Sequence, residues 1–332
     1  MMHVYRLETI GSFDGLVARE EATPVPSAGE VLIRVKASAL NFRDLAILLG
    51  KAPFPVRAGV VPISDAAGEV EAVGPDVSTL KVGDRVVSRF FPTWYGGPRT
   101  PNPDMYGSDR DGWLTEHKVV RAAALSLAPS SLTFEEAASL PCAAVTGWSA
   151  LAGVRAGDTV LTQGSGGVSL FALQLAKLLG ARVIATTSSA RNGERLKSLG
   201  ADAVVDYVEN PHWAEAVRAL TAGRGVDRVV DVGGPGTLAE SLKAVAYGGE
   251  VALVGALAES KAGLDFIGLF MSQATLRCIS VGSRVDAEAM NRAVDAHAMR
   301  PMIDRVFPFA EATSAFAHYA GGKVFGKIVI RH

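Results

Sequence analysis

A glycine-rich turn between two apolar segments constrains the fold of this chain more than any other feature. The apolar run Thr159–Gln163 leads into Gly164–Gly167, and the longer apolar run Val168–Leu179 follows. Runs of these lengths predict a strand, a turn and a helix. Glycines in such a turn let backbone N–H groups approach a pyrophosphate, whose charge the helix N-terminus also favours. The turn therefore predicts a dinucleotide site. Its candidate contacts are Gly164, Ser165, Gly166, Gly167 and Val168.

Short apolar runs alternate with helical segments on the C-terminal side of this turn. Arg182–Thr187 and Glu250–Val254 predict strands, and Arg191–Leu199 predicts an amphipathic helix. This alternation is typical of a doubly wound parallel sheet in an α/β fold. Three more glycines of this region are candidate cofactor contacts: Gly233, Gly255 and Gly282.

The first third of the chain has a different pattern. Glu30–Ala37 and Gly68–Val73 alternate apolar and polar residues, which predicts half-buried strands of a small β-rich domain. Arg89–Gly112 is a long segment with four prolines and several aromatic residues. We interpret it either as a functional loop or as a surface excursion held by its aromatic side chains.

Composition limits the possible partners and locations. Lys plus Arg (33) nearly balance Asp plus Glu (34), so no electrostatic argument favours nucleic acid or an anionic membrane. The N-terminus lacks the basic and apolar regions of a signal peptide, and we expect a cytoplasmic protein. The two cysteines, Cys142 and Cys278, cannot form a disulfide framework or a cysteine-rich metal site.

The end of the second predicted strand indicates which nicotinamide cofactor binds. An NAD site of this type has a carboxylate there for the ribose 2′-hydroxyl. This chain has Thr187, Ser188, Ser189 and Arg191 instead, which favours the 2′-phosphate of NADP, although NAD stays possible. Alternatively, the two serines only cap the following helix.

Five further segments match, in order and over nearly the whole chain, those of a known family. They are Ala37–Asp44, Pro62–Gly74, Val82–Val86, Leu140–Gly147 and Gly326–Val329. With the glycine turn, they resemble the medium-chain dehydrogenase/reductase superfamily, and within it the zinc-free branch that includes quinone reductases.

The resemblance implies a Rossmann domain inserted into a GroES-like β-rich domain, with the active site in the cleft. The GroES-like domain would comprise residues 1–125 and 283–332, and the Rossmann domain residues 126–282. It also implies a homodimer in which two Rossmann sheets join edge to edge, with the strand Leu276–Val281 at that edge.

The positions of the family's zinc ligands argue against a metal. Zinc alcohol dehydrogenases place a cysteine where this chain has Asn41, a histidine where it has Ser64 and a glutamate where it has Asp65; only Cys142 keeps a ligand-type residue. Asn and Ser are poor ligands, and catalytic zinc needs three protein ligands. We therefore expect no catalytic zinc.

Without zinc, reduction of an activated double bond is easier than oxidation of an alcohol, whose alkoxide needs a Lewis acid. We expect hydride transfer to quinones or α,β-unsaturated carbonyl compounds, with hydrogen-bond donors stabilising the enolate oxygen. The resemblance places Asn41 at the nicotinamide and substrate and Thr146 at the carboxamide. The candidate catalytic residues are Asn41, Arg43, Asp44, Ser64 and Asp65. Asp44 could instead be a structural partner of Arg43 or of a backbone amide, and the proton donor stays open.

Two other functions remain compatible with the sequence. One is an alcohol or carbonyl dehydrogenase, either independent of zinc or of the zinc type. The other is a non-catalytic dinucleotide-binding protein that serves as a redox sensor.

Overall fold

The computed structural model describes residues 1–101, 103–258 and 263–332. Its strands are β1 (Met2–Leu7), β2 (Leu16–Glu21), β3 (Glu30–Ala39), β4 (Asp65–Val73), β5 (Arg85–Ser88), β6 (His117–Arg121), β7 (Leu125–Leu127), β8 (Thr159–Gln163), β9 (Arg182–Thr187), β10 (Ala203–Asp206), β11 (Val226–Asp231), β12 (Val245–Leu253), β13 (Thr275–Cys278), β14 (Ile303–Pro308) and β15 (Lys327–Arg331). Its helices are α1 (Phe42–Leu48), α2 (Phe134–Ala138), α3 (Val145–Ala150), α4 (Gly167–Leu178), α5 (Ala190–Ser198), α6 (Trp213–Ala219), α7 (Leu238–Ala244), α8 (Phe266–Ser272), α9 (Arg284–Ala296) and α10 (Ala312–Ala320).

The chain divides into two compact units. The first comprises Met1–Val145 and Ser283–His332, and the second comprises Thr146–Gly282. Residues 126–145, which the sequence analysis assigns to the Rossmann domain, fall in the first unit. The reason is that α2 packs against β3, β4 and β15 and buries Ala137 and Ala138 there.

The second unit is built on a six-stranded parallel sheet. The strand order is β10-β9-β8-β11-β12-β13, which is the order of a Rossmann fold. The order reverses between β8 and β11, and ligands of such sheets bind at this point, beyond the carboxyl ends of the strands. The predicted doubly wound α/β fold is confirmed.

The edge strand of this sheet is shorter than the sequence predicts. The prediction covers Leu276–Val281, but β13 ends at Cys278. Val281 has a φ of 57°, which an extended strand cannot contain. The predicted strand position at the sheet edge is nevertheless the one observed.

The first unit contains a seven-stranded sheet ordered β14-β15-β3-β4-β5-β7, with β6 also paired to β3. The C-terminal strands β14 and β15 thus join a sheet whose other strands come from the N-terminal half. β15 runs antiparallel to β3 and pairs Val329 with Ala39. This pairing brings the start of β15 beside the residues that follow β3.

The segment before α3 is not an ordinary α-helix. A π-helical turn, Leu140–Ala144, precedes α3. Pro141 has no N–H to donate, and the N–H of Cys142 donates to Asp65 Oδ2 at 2.9 Å. Within the described ranges, no helix combines the length and apolar character that a membrane crossing requires.

Candidate functional site

Asn41 lies between β3 and the first turn of α1. Its N–H donates to Asp44 Oδ2 at 2.9 Å, and its carbonyl accepts from the N–H of Asp44 at 3.0 Å. These two bonds fix the backbone at the start of α1. Only 8% of Asn41 is exposed, so its side-chain amide must find most of its partners within the protein.

Lys327, the first residue of β15, meets this amide. Its Nζ donates to Asn41 Oδ1 at 2.6 Å and to the carbonyl of Leu40 at 2.7 Å. On the other side of the amide, Asn41 Nδ2 donates to Ser64 Oγ at 3.2 Å. The oxygen and the nitrogen of the Asn41 side-chain amide therefore each have a hydrogen-bond partner.

Ser64 and Asp65 complete the group. Ser64 Oγ donates to Asp65 Oδ1 at 2.9 Å, and Asp65 Oδ2 lies 4.0 Å from Lys327 Nζ. Burial raises the pKa of Asp65, while Lys327 and hydrogen bonds from Asn41, Cys142 and Ser64 act to lower it. We call Asn41, Ser64, Asp65 and Lys327 the Asn41 cluster.

The first turn of α1, which follows Asn41, contains Arg43 and Asp44. Arg43 Nη1 donates to the carbonyl of Tyr106 at 2.8 Å and lies 3.3 Å from Asp44 Oδ1. The Arg43 guanidinium also lies over the rings of Phe54 and Phe90, at 5.6 and 5.2 Å from their centroids. The pKa of Asp44 is raised to about 6, mainly by burial; Arg43 acts to lower it and Asp65 acts to raise it.

The backbone just before Ser64 has an unusual conformation. Ile63 is fully buried, and its φ is 73°, a region that β-branched residues rarely adopt. Gly112, at the end of the Arg89–Gly112 segment, packs so closely that a Cβ on it would lie 2.2 Å from the Ile63 carbonyl oxygen. The segment thus holds the Ile63 backbone; its residue Asn102 lies outside the described residues.

The glycine turn in the second unit has the form that the sequence predicts. Gly164 has a φ of 73°, and Gly166 has ordinary extended angles as the N-cap of α4. Among the described residues, no atom lies within 4 Å of a Cβ built on either glycine. Protein packing therefore does not require glycine at residue 166, whereas a phosphate lying against the backbone would.

The neighbours of the turn explain its two serines. Ser165 Oγ accepts from Asn192 Nδ2 of α5 at 3.3 Å, which ties the turn to the next helix. Ser169 stands where the family usually has a final glycine; it is buried and donates to the carbonyl of Gln163 at 2.6 Å. Val168 lies half-buried in the first turn of α4.

Four further candidate cofactor residues are partly or fully buried in the protein. A Cβ on Gly233 would lie 2.4 Å from Thr237 Oγ1, and one on Gly255 would lie 2.5 Å from the carbonyl oxygen of Val232. The packing of the protein itself requires these two glycines. Thr146 is buried in α3, and Gly282 is half-buried between β13 and α9.

Four polar residues lie at the carboxyl end of β9 and the start of α5. Thr187 is buried, and its hydroxyl accepts from the N–H of Ser189 at 3.3 Å. Ser189 is the N-cap of α5 and accepts from the N–H of Asn192. The side chains of Ser188 and Arg191 are exposed at the same end of the helix.

The donor set around Asn41 does not fit a catalytic zinc ion. Asn41 Oδ1 already accepts from the Lys327 ammonium, and Ser64 Oγ already donates to Asp65. Among the described residues, no group of three His, Cys, Asp or Glu side chains converges on one point. Burial raises the pKa of Cys142, which disfavours the thiolate that a metal needs.

The sequence analysis missed Lys327 as a site residue, and it did not single out Tyr319. Lys327 was recognised only as part of a strand motif, because an Asn and a Lys 286 residues apart give no local signal. Tyr319 of α10 is partly buried, and burial raises the pKa of its phenol, with smaller contributions from Asp44 and Cys142. No periodicity in the sequence distinguishes it from a core residue.

Comparison with known proteins identifies the family. The model of the alcohol dehydrogenase GroES-like domain matches residues 27–130, and that of the zinc-binding dehydrogenase matches residues 167–296. A zinc-type alcohol dehydrogenase-like protein of Schizosaccharomyces pombe is 38% identical over 98% of this chain and 97% of its own length. The chain belongs to the medium-chain dehydrogenase/reductase superfamily.

Two further relatives match nearly the whole chain. The crystal structure of a putative alcohol dehydrogenase from Sinorhizobium meliloti 1021 has a TM-score of 0.93 and 38% identity, and covers 100% of this chain and 98% of its own. A 2-methylene-furan-3-one reductase of Solanum lycopersicum is 33% identical over 99% of this chain and 79% of its own length. This protein is accordingly an oxidoreductase that uses a nicotinamide dinucleotide. The glycine turn has the open backbone that such a cofactor requires.

Proposed function

We propose that this protein is an NADPH-dependent reductase of α,β-unsaturated carbonyl compounds or quinones and that it works without zinc. The observation that carries the proposal is the Asn41 amide, which Lys327 and Ser64 hold in place at the position of a zinc ligand in the alcohol dehydrogenases. The similarity to a furanone reductase of the same superfamily supports this substrate class.

The Asn41 cluster supplies a hydrogen-bond donor rather than a Lewis acid. When bound, the nicotinamide cofactor supplies the hydride. The developing negative charge on the substrate then lies on a carbonyl oxygen, and the Nδ2 group of Asn41 donates to that oxygen. Preorganised donors of this kind stabilise an oxyanion without having to rearrange during the reaction. Ser64 and Asp65 hold the donor from one side, and the strained backbone at Ile63 places Ser64.

The preference for NADPH rests on the residues between β9 and α5. Thr187 replaces the carboxylate that would repel a 2′-phosphate, and the exposed side chains of Ser188 and Arg191 are available to bind it. Asp206 pairs with Thr187 in the neighbouring strand, but its carboxylate accepts from the N–H of Val208 at 2.9 Å. NAD remains the second choice of cofactor.

A second candidate is an alcohol or carbonyl dehydrogenase, because the relative that is 38% identical is named a zinc-type alcohol dehydrogenase-like protein. Such a reaction forms an alkoxide, and the Asn41 cluster offers an amide in place of the metal that usually stabilises this charge. The two candidates therefore differ in the substrates they turn over and in their need for zinc.

The experiment compares both reactions in one preparation. NADPH oxidation is followed with 2-cyclohexenone, methyl vinyl ketone and 1,4-naphthoquinone, and NADP reduction with ethanol and benzyl alcohol, each with zinc added and with EDTA. We expect turnover of at least one enone or quinone, unaffected by EDTA, and little oxidation of the alcohols. Asn41→Ala should lower enone kcat about tenfold or more, with little change in NADPH affinity, because one donor to the oxyanion is lost.

Three results would contradict the proposal. Alcohol oxidation faster than reduction of every enone and quinone would favour the dehydrogenase. Activity that depends on zinc would show that the metal acts in spite of the donor set. Unchanged enone turnover by Asn41→Ala would remove the role given to the Asn41 amide.

We also propose that two copies form a homodimer through the free edge of β13. This strand has unpaired backbone groups along one side and no strand beyond it in the described sheet. Light scattering during size-exclusion chromatography should give twice the chain mass of 34.7 kDa. A mass of one chain across the micromolar range would refute the dimer.

A further inference from the structure

Lys327 is a buried cation in the middle of the first unit. Only 3% of the residue is exposed, and lysine is almost never buried to this degree unless it is paired. Its Nζ has two hydrogen-bond acceptors, Leu40 O and Asn41 Oδ1, and a carboxylate oxygen of Asp65 at 4.0 Å. Its partners thus satisfy the ammonium, and two of them belong to the Asn41 cluster.

The ammonium determines which way the Asn41 amide faces. A lysine ammonium can only donate, and an asparagine side chain has one accepting oxygen and one NH₂ group. Rotating the amide by half a turn would place its NH₂ group 2.6 Å from the ammonium, donor against donor. The Oδ1 atom must therefore face Lys327, and the NH₂ group must face Ser64.

The same geometry determines the direction of the next hydrogen bonds. Ser64 Oγ accepts from Asn41 and gives its own hydrogen to Asp65. The resulting series runs from the Lys327 cation through two neutral groups to the Asp65 carboxylate. Polarisation along such a series strengthens each donor, because a positive charge at the amide oxygen draws electron density from its nitrogen. Ser64 takes one hydrogen of Asn41 Nδ2; the second lies within reach of Asp65, and it is the one that a ligand oxygen would take over.

We propose that Lys327 is a positioning residue of the reduction: it orients and polarises the Asn41 amide so that Nδ2 donates to the developing oxyanion of the substrate. The inference rests on the proposed function for the reaction, whereas the orientation of the amide stands without it. Substrates of this site must accordingly present a hydrogen-bond acceptor, a carbonyl or quinone oxygen, to Asn41.

Replacement of Lys327 tests whether the positive charge beside the Asn41 amide contributes to turnover. Lys327→Met keeps the length of the side chain and removes the ammonium, and Lys327→Arg keeps a cation. We expect Lys327→Met to lower enone kcat about tenfold, as expected for weakening one oxyanion donor, with KM for NADPH nearly unchanged. Lys327→Arg should recover most of that loss. The exposed Lys323→Met, four residues earlier in the chain, is the matched control and should behave as wild type.

A double-mutant cycle tests whether Lys327 acts through Asn41. If it does, Lys327→Met should cause no further loss once Asn41 is alanine, so the double variant and Asn41→Ala should agree within about twofold. An equal loss in both backgrounds would show that Lys327 acts by another route. Wild-type turnover by Lys327→Met would overturn the proposal directly.

Asn41→Asp tests the donor itself and does not require the loss of Lys327. The carboxylate keeps an acceptor for the Lys327 ammonium but has no N–H to offer. We expect this variant to remain folded and to lose enone turnover at least as severely as Asn41→Ala. Turnover close to wild type would mean that the site needs an acceptor, and the proposed orientation would be wrong.

An NMR measurement of the Asn41 side chain does not depend on turnover, and it therefore tests this inference separately from the proposed function. The chain has five asparagines, so selective ¹⁵N-asparagine labelling gives a simple side-chain spectrum. In wild type, the Asn41 NH₂ group, assigned by its absence in Asn41→Ala, should exchange slowly with solvent. Lys327→Met should shift its ¹⁵N and proton signals and speed their exchange with solvent, because the ammonium no longer holds and polarises the amide oxygen. Shifts and exchange rates that do not respond to Lys327→Met would refute the orientation even if enones are reduced, and a clear response without any enone or quinone turnover would refute the function alone.

Discussion

Gly166→Ala should separate cofactor binding from folding in this enzyme. Gly166 has extended backbone angles that alanine adopts without strain, and no described atom lies within 4 Å of the added Cβ. Replacing a compatible glycine stabilises a protein by about 0.4–1 kcal/mol through the unfolded state. Alanine is a poorer N-cap than glycine, at a cost of similar size. The free energy of unfolding should therefore change by about 1 kcal/mol or less.

Cofactor affinity should fall much further. The new methyl group occupies the open space where a pyrophosphate would approach the backbone N–H groups of the turn. Each hydrogen bond to a charged group is worth about 1.5–3 kcal/mol, so the loss of one weakens binding by about tenfold to a hundredfold. NADPH and NADH share the pyrophosphate, so both dissociation constants should rise by the same factor.

Fluorescence titration of both cofactors and thermal unfolding measure the two effects. Gly263→Ala is the matched control, since no described atom lies within 4 Å of a Cβ on Gly263 and its φ is not left-handed. Gly164→Ala should differ from Gly166→Ala by also losing about 1–2 kcal/mol of stability, because its φ is 73°. If Gly166→Ala binds both cofactors as wild type does, the turn does not hold the pyrophosphate and the site assignment is wrong.

Three other expectations concern cofactor choice, pH and metal. Arg191→Ala should weaken NADPH by a few fold, as for an exposed ion pair of up to about 1 kcal/mol, and leave NADH unchanged; equal effects on both would exclude a 2′-phosphate contact. The folded-state pKa of Asp44 is raised from 3.8 to about 6, so the native state holds more protons than the unfolded state between those values. The free energy of unfolding should then fall by about 3 kcal/mol as the pH rises through this window, at 1.36 kcal/mol per pH unit. Asp44→Asn should lack this slope in denaturant titrations, and parallel curves for both proteins would contradict the raised pKa. Elemental analysis of protein expressed with added zinc should find far less than one zinc per chain, whereas one per chain would restore a metal-dependent mechanism.

Local patterns predicted much of the nucleotide-binding unit. β8 and β9 have the predicted bounds, Thr159–Gln163 and Arg182–Thr187, because buried parallel strands form continuous apolar runs that end at turn residues. The glycine turn could be read in the same way, since a strand, a tight turn and a helix N-terminus are consecutive in the chain. The sequence also showed that Asn41 and Ser64 replace zinc ligands, because each of these positions belongs to a short motif.

Other features depended on contacts between distant segments. Residues 126–145 fall in the first unit because α2 packs on strands of that unit, which helical periodicity alone does not reveal. The sequence also could not tell that packing requires Gly233 and Gly255, whereas Gly166 is open. Short motifs report only the backbone that they form, and the space around a glycine depends on what folds against it.

The sequence by itself determined the α/β class, the glycine turn and the lack of a zinc ligand at Asn41 and Ser64. Only the tertiary structure decided the orientation of the Asn41 amide, because Lys327 on the last strand determines which end of the amide faces it. A hydrogen bond between residues 286 positions apart leaves no periodic trace in a sequence. It forms because β15 pairs with β3 and brings the buried ammonium within hydrogen-bond distance of Asn41 Oδ1.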